Sequence, residues 1–375
     1  MDYFKESLRL HKELGGKLES VSKIKLDSKD NLSLAYTPGV AEPCKEIAKD
    51  KKKAYDYTIK NTVAVISDGS AVLLGNIPEA ALPVMEKCCL FKEFAGINAY
   101  PIVIDTQDTD EIIDFVKKIS PTFGINLEDI SAPRCFEIEE RLKKELNIPV
   151  FHDDQHGTAI VCLAIINSLK IVEKKKEDIK VVVNGVGAAG VAIAKLLLKY
   201  VKNIIMVDSA GSIYKGRSRL NPTKEMLTNI TNTVCLLDPT SKKCITLKDA
   251  IVDADVFIVS VAGVLSKDMV RSMNKDPIIF AMANPIPEIM PEDAMEAGAK
   301  IVATGRSDFP NQLNNVLAFP GIFKALKYRI PQITDDMKIK AAELAACVKN
   351  PRPDKIIPSP LEKGIADMVA EAINK

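Results

Sequence analysis

Two pairs of adjacent acids carry the first chemical signal in the chain, Glu128-Asp129 in NLEDIS and Asp153-Asp154 in FHDDQHGTA. Each pair alone reads more readily as a cap at a helix start than as a ligand set. Taken together, on either side of a helix that could return the chain to the same rim, Glu128, Asp129 and Asp154 offer hard oxygen ligands. Such a set suits Mg²⁺ or Mn²⁺ and leaves positions open for a chelating substrate. His152 and His156 flank the second pair; they permit a zinc site, but they fit better as packing residues behind the acids. The second signal is a glycine-rich turn, Asn184-Gly185-Val186-Gly187-Ala188-Ala189-Gly190, preceded by the strand-like run 179–183 and followed by the helical run 191–200. A second strand, 203–207, ends at Asp208, about 20 residues on, which is the context of a dinucleotide site. Gly185 serves the turn, Gly187 lets the backbone approach a pyrophosphate, and Gly190 allows the helix to close on the strand. The free N–H groups where the helix begins, at Ala188 and Ala189, would face the phosphates. Asp208 is placed to bind ribose hydroxyls, as in NAD sites. Lys215, Arg217, Arg219 and Lys224 follow it and could neutralise the 2′-phosphate of NADP.

These residues need a scaffold, and the pattern supplies one. A β-branched run at 62–66 leads into Ser67-Asp68-Gly69, a strand and a turn. Helical periodicity spans 79–95, a strand 99–104, and a helix 110–119 that stops before Pro121. Strand, helix, strand, helix at these lengths predicts an α/β layer. Residues 1–60 read as helices and loops with solvated lysine runs. Beyond residue 150 the texture changes to an apolar helix at 158–169, an exposed Lys174-Lys175-Lys176 linker, the glycine turn, and further buried strands at 256–261 and 278–281. The expected organisation is an N-terminal α/β domain for substrate and metal over 1–155, and a Rossmann-type doubly wound NAD(P)-binding domain over 156–305. A C-terminal segment, 306–375, would complete the cleft and pack back on the first domain.

Composition narrows the class of protein. With 47% apolar and 27% charged residues among 375, the chain falls outside disordered and fibrous compositions. Fifty-one Lys and Arg against fifty Asp and Glu leave no surplus for a broad basic face, so nucleic acid is not an expected partner. The charged N-terminus has no signal-like apolar core, and runs such as 257–265 fall far short of the ~20 residues needed to span a bilayer. The expectation is a cytoplasmic protein with no membrane partner. Eight cysteines are scattered without C-x-x-C spacing; most read as small buried hydrophobes, and neither Cys88 nor Cys89 is expected to be a catalytic thiol. Glycine is scarce, 18 in all, against a usual share of ~7%.

Several strings are specific enough to carry a resemblance. YTPGVAEPC, VISDGSAVLLGN, EKCCLFKEFAGI, INLEDISAPRCFEIE, PVFHDDQHGTA, IIFAMANPIPEIMP and ATGRSDFPNQLNNVLAFPGIF resemble malic enzymes, above all their short prokaryotic type, in order and over nearly the whole chain. The resemblance implies oxidative decarboxylation of (S)-malate to pyruvate and CO₂, with reduction of NAD(P) and a divalent metal. It makes Tyr36 the general acid and Lys87 the general base, with Asp153 orienting Lys87. Glu128, Asp129 and Asp154 would hold the metal. Asn284 and Asn315, with Asn314 beside it, would position substrate and nicotinamide. Lys224 falls near the position that separates the two nucleotides, which tips the expectation slightly to NADP. The resemblance also implies a homodimer in which the segment bearing Tyr36 reaches a neighbour's cleft. Non-oxidative decarboxylation of malate or oxaloacetate at the same site, and a catalytically weak nucleotide-binding protein on the same scaffold, are the alternatives. Ala71 stands where larger family members have an arginine. Against the short-form pattern a glycine is missing between Val72 and Leu73, Ile77 and Pro78, Glu86 and Lys87, beside Gly124, and between Lys324 and Ala325. A shortened loop before Lys87 could displace the base, and about 1 Å of misplacement costs roughly 10²-fold in rate.

Overall fold

A computed structural model describes residues 2–72, 77–231, 246–259, 265–345 and 347–374. Cys235 and Cys244, and the end of the strand expected at 256–261, lie outside the described residues. The first sheet contains β1 (Thr62–Ser67), β2 (Asn98–Val103), β3 (Gly124–Leu127) and β4 (Val150–His152) in the order β2-β1-β3-β4, all parallel. Every residue of β1 is buried, as expected of a central parallel strand covered on both faces, and that is why it reads as an unbroken β-branched run. β3 and β4 are too short, at four and three residues, to show any periodicity. They were not foreseen, yet they carry the acids: Glu128 follows β3 and Asp153 follows β4. Because the strands are parallel, Asp68, Glu128 and Asp153 all leave the sheet at one rim. The strand order reverses between β1 and β3, and such a reversal opens a crevice at the carboxyl ends.

The helix expected over 79–95 is broken into a 3₁₀ turn, Pro78–Ala81, a short helix, Leu82–Met85, and a second helix, Cys88–Ala95. Pro83 tolerates only the first turn of a helix, so the element restarts there. Lys87 sits at the joint, its backbone N–H donating to Val84 O at 2.9 Å.

The second sheet is larger. It consists of β5 (Lys180–Asn184), β6 (Asn203–Asp208), β7 (Gly211–Ser212), β8 (Val256–Val259), β9 (Ile278–Ala281) and β10 (Ile301–Thr304) in the order β10-β9-β8-β5-β6-β7. All pairs are parallel except the β6–β7 hairpin. Its own reversal point, between β5 and β8, lies at the glycine turn. The following helix, Ala188–Leu197, starts three residues earlier than its apolar run because Gly187 caps it. The helix Asp153–Val161 bears the second acid pair in its first turn and packs directly on Ala188–Leu197. That contact brings the acid rim of one sheet to the glycine turn of the other. The helix foreseen at 158–169 is thus the later part of a longer path, continued through Cys162–Ala164 and Ile165–Ile171.

The C-terminal part closes the structure. Helix Phe319–Lys324 places Phe319 and Phe323 on Phe91, with ring centroids 4.7 and 5.5 Å apart, and Phe323 on Phe151 at 5.9 Å. By contrast, the N-terminal helices Tyr3–Leu14, Lys29–Ala35 and Ala41–Lys49 bury no residue at all, and Leu8, Val21 and Leu34 are more than two-thirds exposed. This segment is tied down through Lys17, whose backbone N–H donates to Glu86 Oε2 at 2.9 Å and whose ammonium donates to Pro83 O at 2.8 Å. Among the described residues no helix is long and apolar enough to cross a membrane.

Candidate active site

Lys87 is the centre of a buried cluster at the rim of the first sheet. Its ammonium donates to Glu128 Oε1 at 2.7 Å and to Asp153 Oδ2, and it lies 4.3 Å from the centre of the Phe319 ring. Asn315 Nδ2 donates to the same Asp153 oxygen at 2.6 Å, and Asn126 Nδ2 donates to Glu128 Oε2 at 3.0 Å. The helix joint, the ends of β3 and β4, and the 3₁₀ turn Asn315–Leu317 therefore converge on one amine. Lys87 thus reaches both acids.

Gly157 makes the convergence possible. A Cβ there would collide with the Asp153 carboxylate and come within 2.8 Å of Asn315 Cβ. The sequence held a clue, since a glycine inside a helix costs ~1 kcal/mol relative to alanine and this one stands four residues after Asp153, on the same face. Asn126 and Phe319 gave no comparable signal.

The acids are crowded. Asp129 takes a left-handed backbone conformation, φ 49°, and its N–H donates to Asp154 Oδ2 at 2.8 Å. Burial pushes the Glu128 carboxyl up to about 7 and that of Asp129 up to about 8, with the negative charge of Asp154 adding to both. Asp154 is raised to about 6, first by burial and then by Asp153. For Lys87, burial works against the charge, but Asp153 and Glu128 together outweigh it and hold the amine protonated, above the ordinary lysine range. Among the described residues the buried Asp153 Oδ1 has no hydrogen-bond partner.

This donor set could hold a hard cation. It is all oxygen, it is buried, and its mutual repulsion is of the kind a divalent ion relieves. Glu128 is turned to Lys87, whose ammonium supplies the positive charge, and among the described residues no three acids, cysteines or histidines are already grouped as a metal cage. The histidines do not form a zinc site with them. His156 Nε2 pairs with Glu139 at 2.8 and 2.9 Å, and burial brings both His152 and His156 down to about 4. Burial pushes the Cys88 thiol up to about 12, and its Sγ donates to Met85 O at 3.2 Å, an arrangement that disfavours the thiolate.

The glycine turn has the shape that a phosphate cradle requires. Gly185 has φ 115°, and its carbonyl lies where a side chain on Gly190 would be, so the turn closes only with glycine there. The space beside Gly187 is open, and the first N–H groups of the helix, from Ala188 and Ala189, begin at that point. At the end of β6, Asp208 accepts from Arg217 Nη1 and Nη2 at 2.9 and 2.5 Å and from Lys224 Nζ at 2.5 Å. Burial opposes the charge on Asp208, but these bonds win and the carboxyl is lowered to about 2.

Other expected residues are placed differently. Asn284 is exposed just beyond β9, its amide directed at Gly305. Asn314 uses its side-chain oxygen to cap the turn, accepting from Val316 N at 2.9 Å, while Asn315 joins the Lys87 cluster. Tyr36 stands on the N-terminal segment, 67% exposed, and no side-chain hydrogen bond among the described residues ties it to that cluster.

Comparison with known proteins matches this architecture. Residues 15–143 match the family model for the malic enzyme N-terminal domain, and residues 155–374 match the malic enzyme NAD binding domain. The chain is 59% identical to the bifunctional malic/malolactic enzyme of Bacillus subtilis, over 100% of this chain and 93% of that protein. It is 56% identical to the NAD-dependent malic enzyme of Geobacillus stearothermophilus, over 96% of this chain and 76% of that one. Among solved structures, the NAD-dependent malic enzyme of Thermotoga maritima superposes with a TM-score of 0.91 at 47% identity, covering 98% of each chain. With both halves matched, each carrying its share of the buried cluster or the glycine turn, the chain belongs to the malic enzyme family.

Proposed function

We propose that malate is oxidised and decarboxylated at the cluster around Lys87, with Glu128, Asp129 and Asp154 as ligands of Mg²⁺ or Mn²⁺, Lys87 as general base, and Tyr36 as general acid. The overall activity is that of an NAD(P)-dependent malic enzyme: oxidative decarboxylation of malate coupled to reduction of the nicotinamide. The single observation that carries the residue roles is the pairing of the Lys87 ammonium with two acids from adjacent strand ends. A divalent ion, when bound, would acidify the malate hydroxyl and stabilise the charge that develops as CO₂ leaves. Lys87 can accept the hydroxyl proton only after losing its own. As a metal ligand, Glu128 would be drawn from Lys87, removing one of the two charges that keep the amine protonated. Asp153, fixed by Asn315, would then hold the neutral amine in line with the substrate. Tyr36 would deliver a proton to C3 to complete pyruvate, and Asn284, Asn314 and Asn315 would orient substrate and nicotinamide. In this reading residues 1–155 bind substrate and metal, 156–305 bind the nucleotide, and 306–375 complete the cleft.

Two finer assignments follow. Lys224 reaches the Asp208 carboxylate at the ribose end, close enough to meet a 2′-phosphate, which supports NADP over NAD. The unburied N-terminal segment with its exposed Tyr36 supports a homodimer in which this tyrosine serves the partner's cleft. Cytoplasmic location, and malate as the partner to the exclusion of nucleic acid and membrane, complete the reading. The test is a product assay with malate, Mn²⁺ and each nucleotide in turn. Reduced nucleotide and pyruvate should appear in equal amounts, faster with NADP, and absence of both from folded protein would contradict the reading. Non-oxidative decarboxylation is the second reading, favoured by the name of the Bacillus relative; lactate without net nucleotide reduction is its signature.

A further inference from the structure

One buried acid close to the site has no part in the chemistry above. Glu139 lies on the inner face of helix Arg134–Glu145 and is 5% exposed. Its Oε1 accepts from the backbone N–H of His152 at 3.2 Å. Both its oxygens meet His156 Nε2, at 2.8 and 2.9 Å, and Lys143 pairs with it from one turn further along. His152 immediately precedes Asp153-Asp154 and His156 follows two residues after them. One carboxylate therefore grips the chain on both sides of the acid pair, where β4 ends and where helix Asp153–Val161 begins. The His156 ring is backed by Phe151, 5.4 Å away between centroids, so the grip has little room to slide.

The same helix also holds the other acid pair. At its first residue, Arg134 Nη2 donates to Ser70 Oγ at 2.9 Å and to Ser131 Oγ at 3.1 Å, and it pairs with the buried Asp68 at 2.9 Å. Ser131 N donates to Ser70 Oγ at 2.9 Å, and Ala71 N donates to Asp129 O at 3.0 Å. The loop after β1 and the loop bearing Glu128-Asp129 are stitched together at one end of the helix. The chain at Asp153-Asp154 is gripped from its middle. A rigid helix thus spans both halves of the metal-ligand set.

We propose that Glu139 is a positioning residue that sets Asp154 in register with Glu128 and Asp129 for the divalent cation, acting through His152 N and His156. The inference rests on the reading of Asp154 as a ligand. Partners that hold ligands in place commonly change metal affinity about 10–100-fold when removed. A glutamine at position 139 keeps an acceptor oxygen with two lone pairs for both donors, whereas an alanine keeps none.

The experiment is titration of the full-length protein with Mn²⁺, free ion being read from its electron paramagnetic resonance signal, with NADPH affinity measured in parallel. Glu139→Ala should weaken Mn²⁺ binding about 10–100-fold, Glu139→Gln should stay within about threefold of the parent, and NADPH affinity should be unchanged in both. Asp154→Ala is the control for the underlying reading: if it leaves Mn²⁺ affinity intact, the ligand assignment fails and the positioning role falls with it. If Asp154→Ala loses Mn²⁺ while folded Glu139→Ala retains it, the positioning role alone is overturned. Equal weakening by Glu139→Gln and Glu139→Ala would also overturn it, because charge rather than grip would then be the cause. Should Glu139→Ala fail to fold, His156→Ala removes the grip from one side and carries the same expected loss and the same contrary result.

Discussion

At the scale of single residues, the site depends on how closely Asp153, Asn315 and Gly157 can approach one another. Gly157→Ala tests this, because two effects oppose each other there. Alanine gains up to ~1 kcal/mol of helix propensity, while forcing a methyl group into a packed position costs about 1–3 kcal/mol. The clash falls on the Asp153 carboxylate, so stability should change little or fall modestly, while kcat drops by roughly 10² as Lys87 loses its alignment. A folded variant with normal kcat would refute that reading. The residue types were legible from sequence wherever chemistry needs a rare arrangement, as with two acid pairs and a glycine turn. Asn126 and Phe319 were not, since an ordinary asparagine or phenylalanine acquires its role only when the chain brings it to the amine.

At the scale of elements, strand–turn–helix at the nucleotide site was readable because the β-branched run of β5 is followed at once by the glycine turn. β3 and β4 were invisible because three or four residues carry no period, and the restart of the helix at Leu82 followed from Pro83 rather than from hydrophobic spacing. The β6 end offers a pH test. Asp208 has its carboxyl lowered to about 2, from ~3.9 in an unfolded chain. A depressed acid contributes stability above its unfolded value and loses it as pH falls through the folded one. The stability difference between the parent and Asp208→Asn should therefore be constant above about pH 4 and shrink between about 4 and 2, as read by denaturant unfolding. A difference that does not change over that window would show that the ion triad is not what lowers Asp208. At the same end, Lys224→Ala should reduce kcat/KM for NADP more than for NAD, by about tenfold, the equivalent of ~1.4 kcal/mol, if Lys224 reads the 2′-phosphate.

At the scale of the molecule, two α/β units were legible from the alternation of patterns, and the pairing of helix Asp153–Val161 with Ala188–Leu197 was not, because sequence does not say which helices meet. The alignment with the Bacillus relative is longer than this chain, 388 positions against 375 residues, so residues present there are missing here. Two of the sites where a glycine was expected, before Lys87 and after Lys324, fall at joints between helical segments, places where a turn can be tightened without removing a strand. The unburied N-terminal segment predicts assembly. Chains carrying Tyr36→Phe mixed with chains carrying Lys87→Ala should regain malate oxidation, since one site of each mixed dimer would hold both intact residues. Proven mixed dimers without regained activity would place Tyr36 elsewhere.

The central claim is that Lys87 takes the hydroxyl proton of malate. The most direct measurement is the rate of nucleotide reduction by Lys87→Ala, saturated with Mn²⁺ and malate, with and without added small primary amines. The account predicts a fall of about 10²–10⁴-fold in kcat, partly restored by the amine, with nucleotide affinity unchanged. Near-normal reduction in the absence of amine would contradict it.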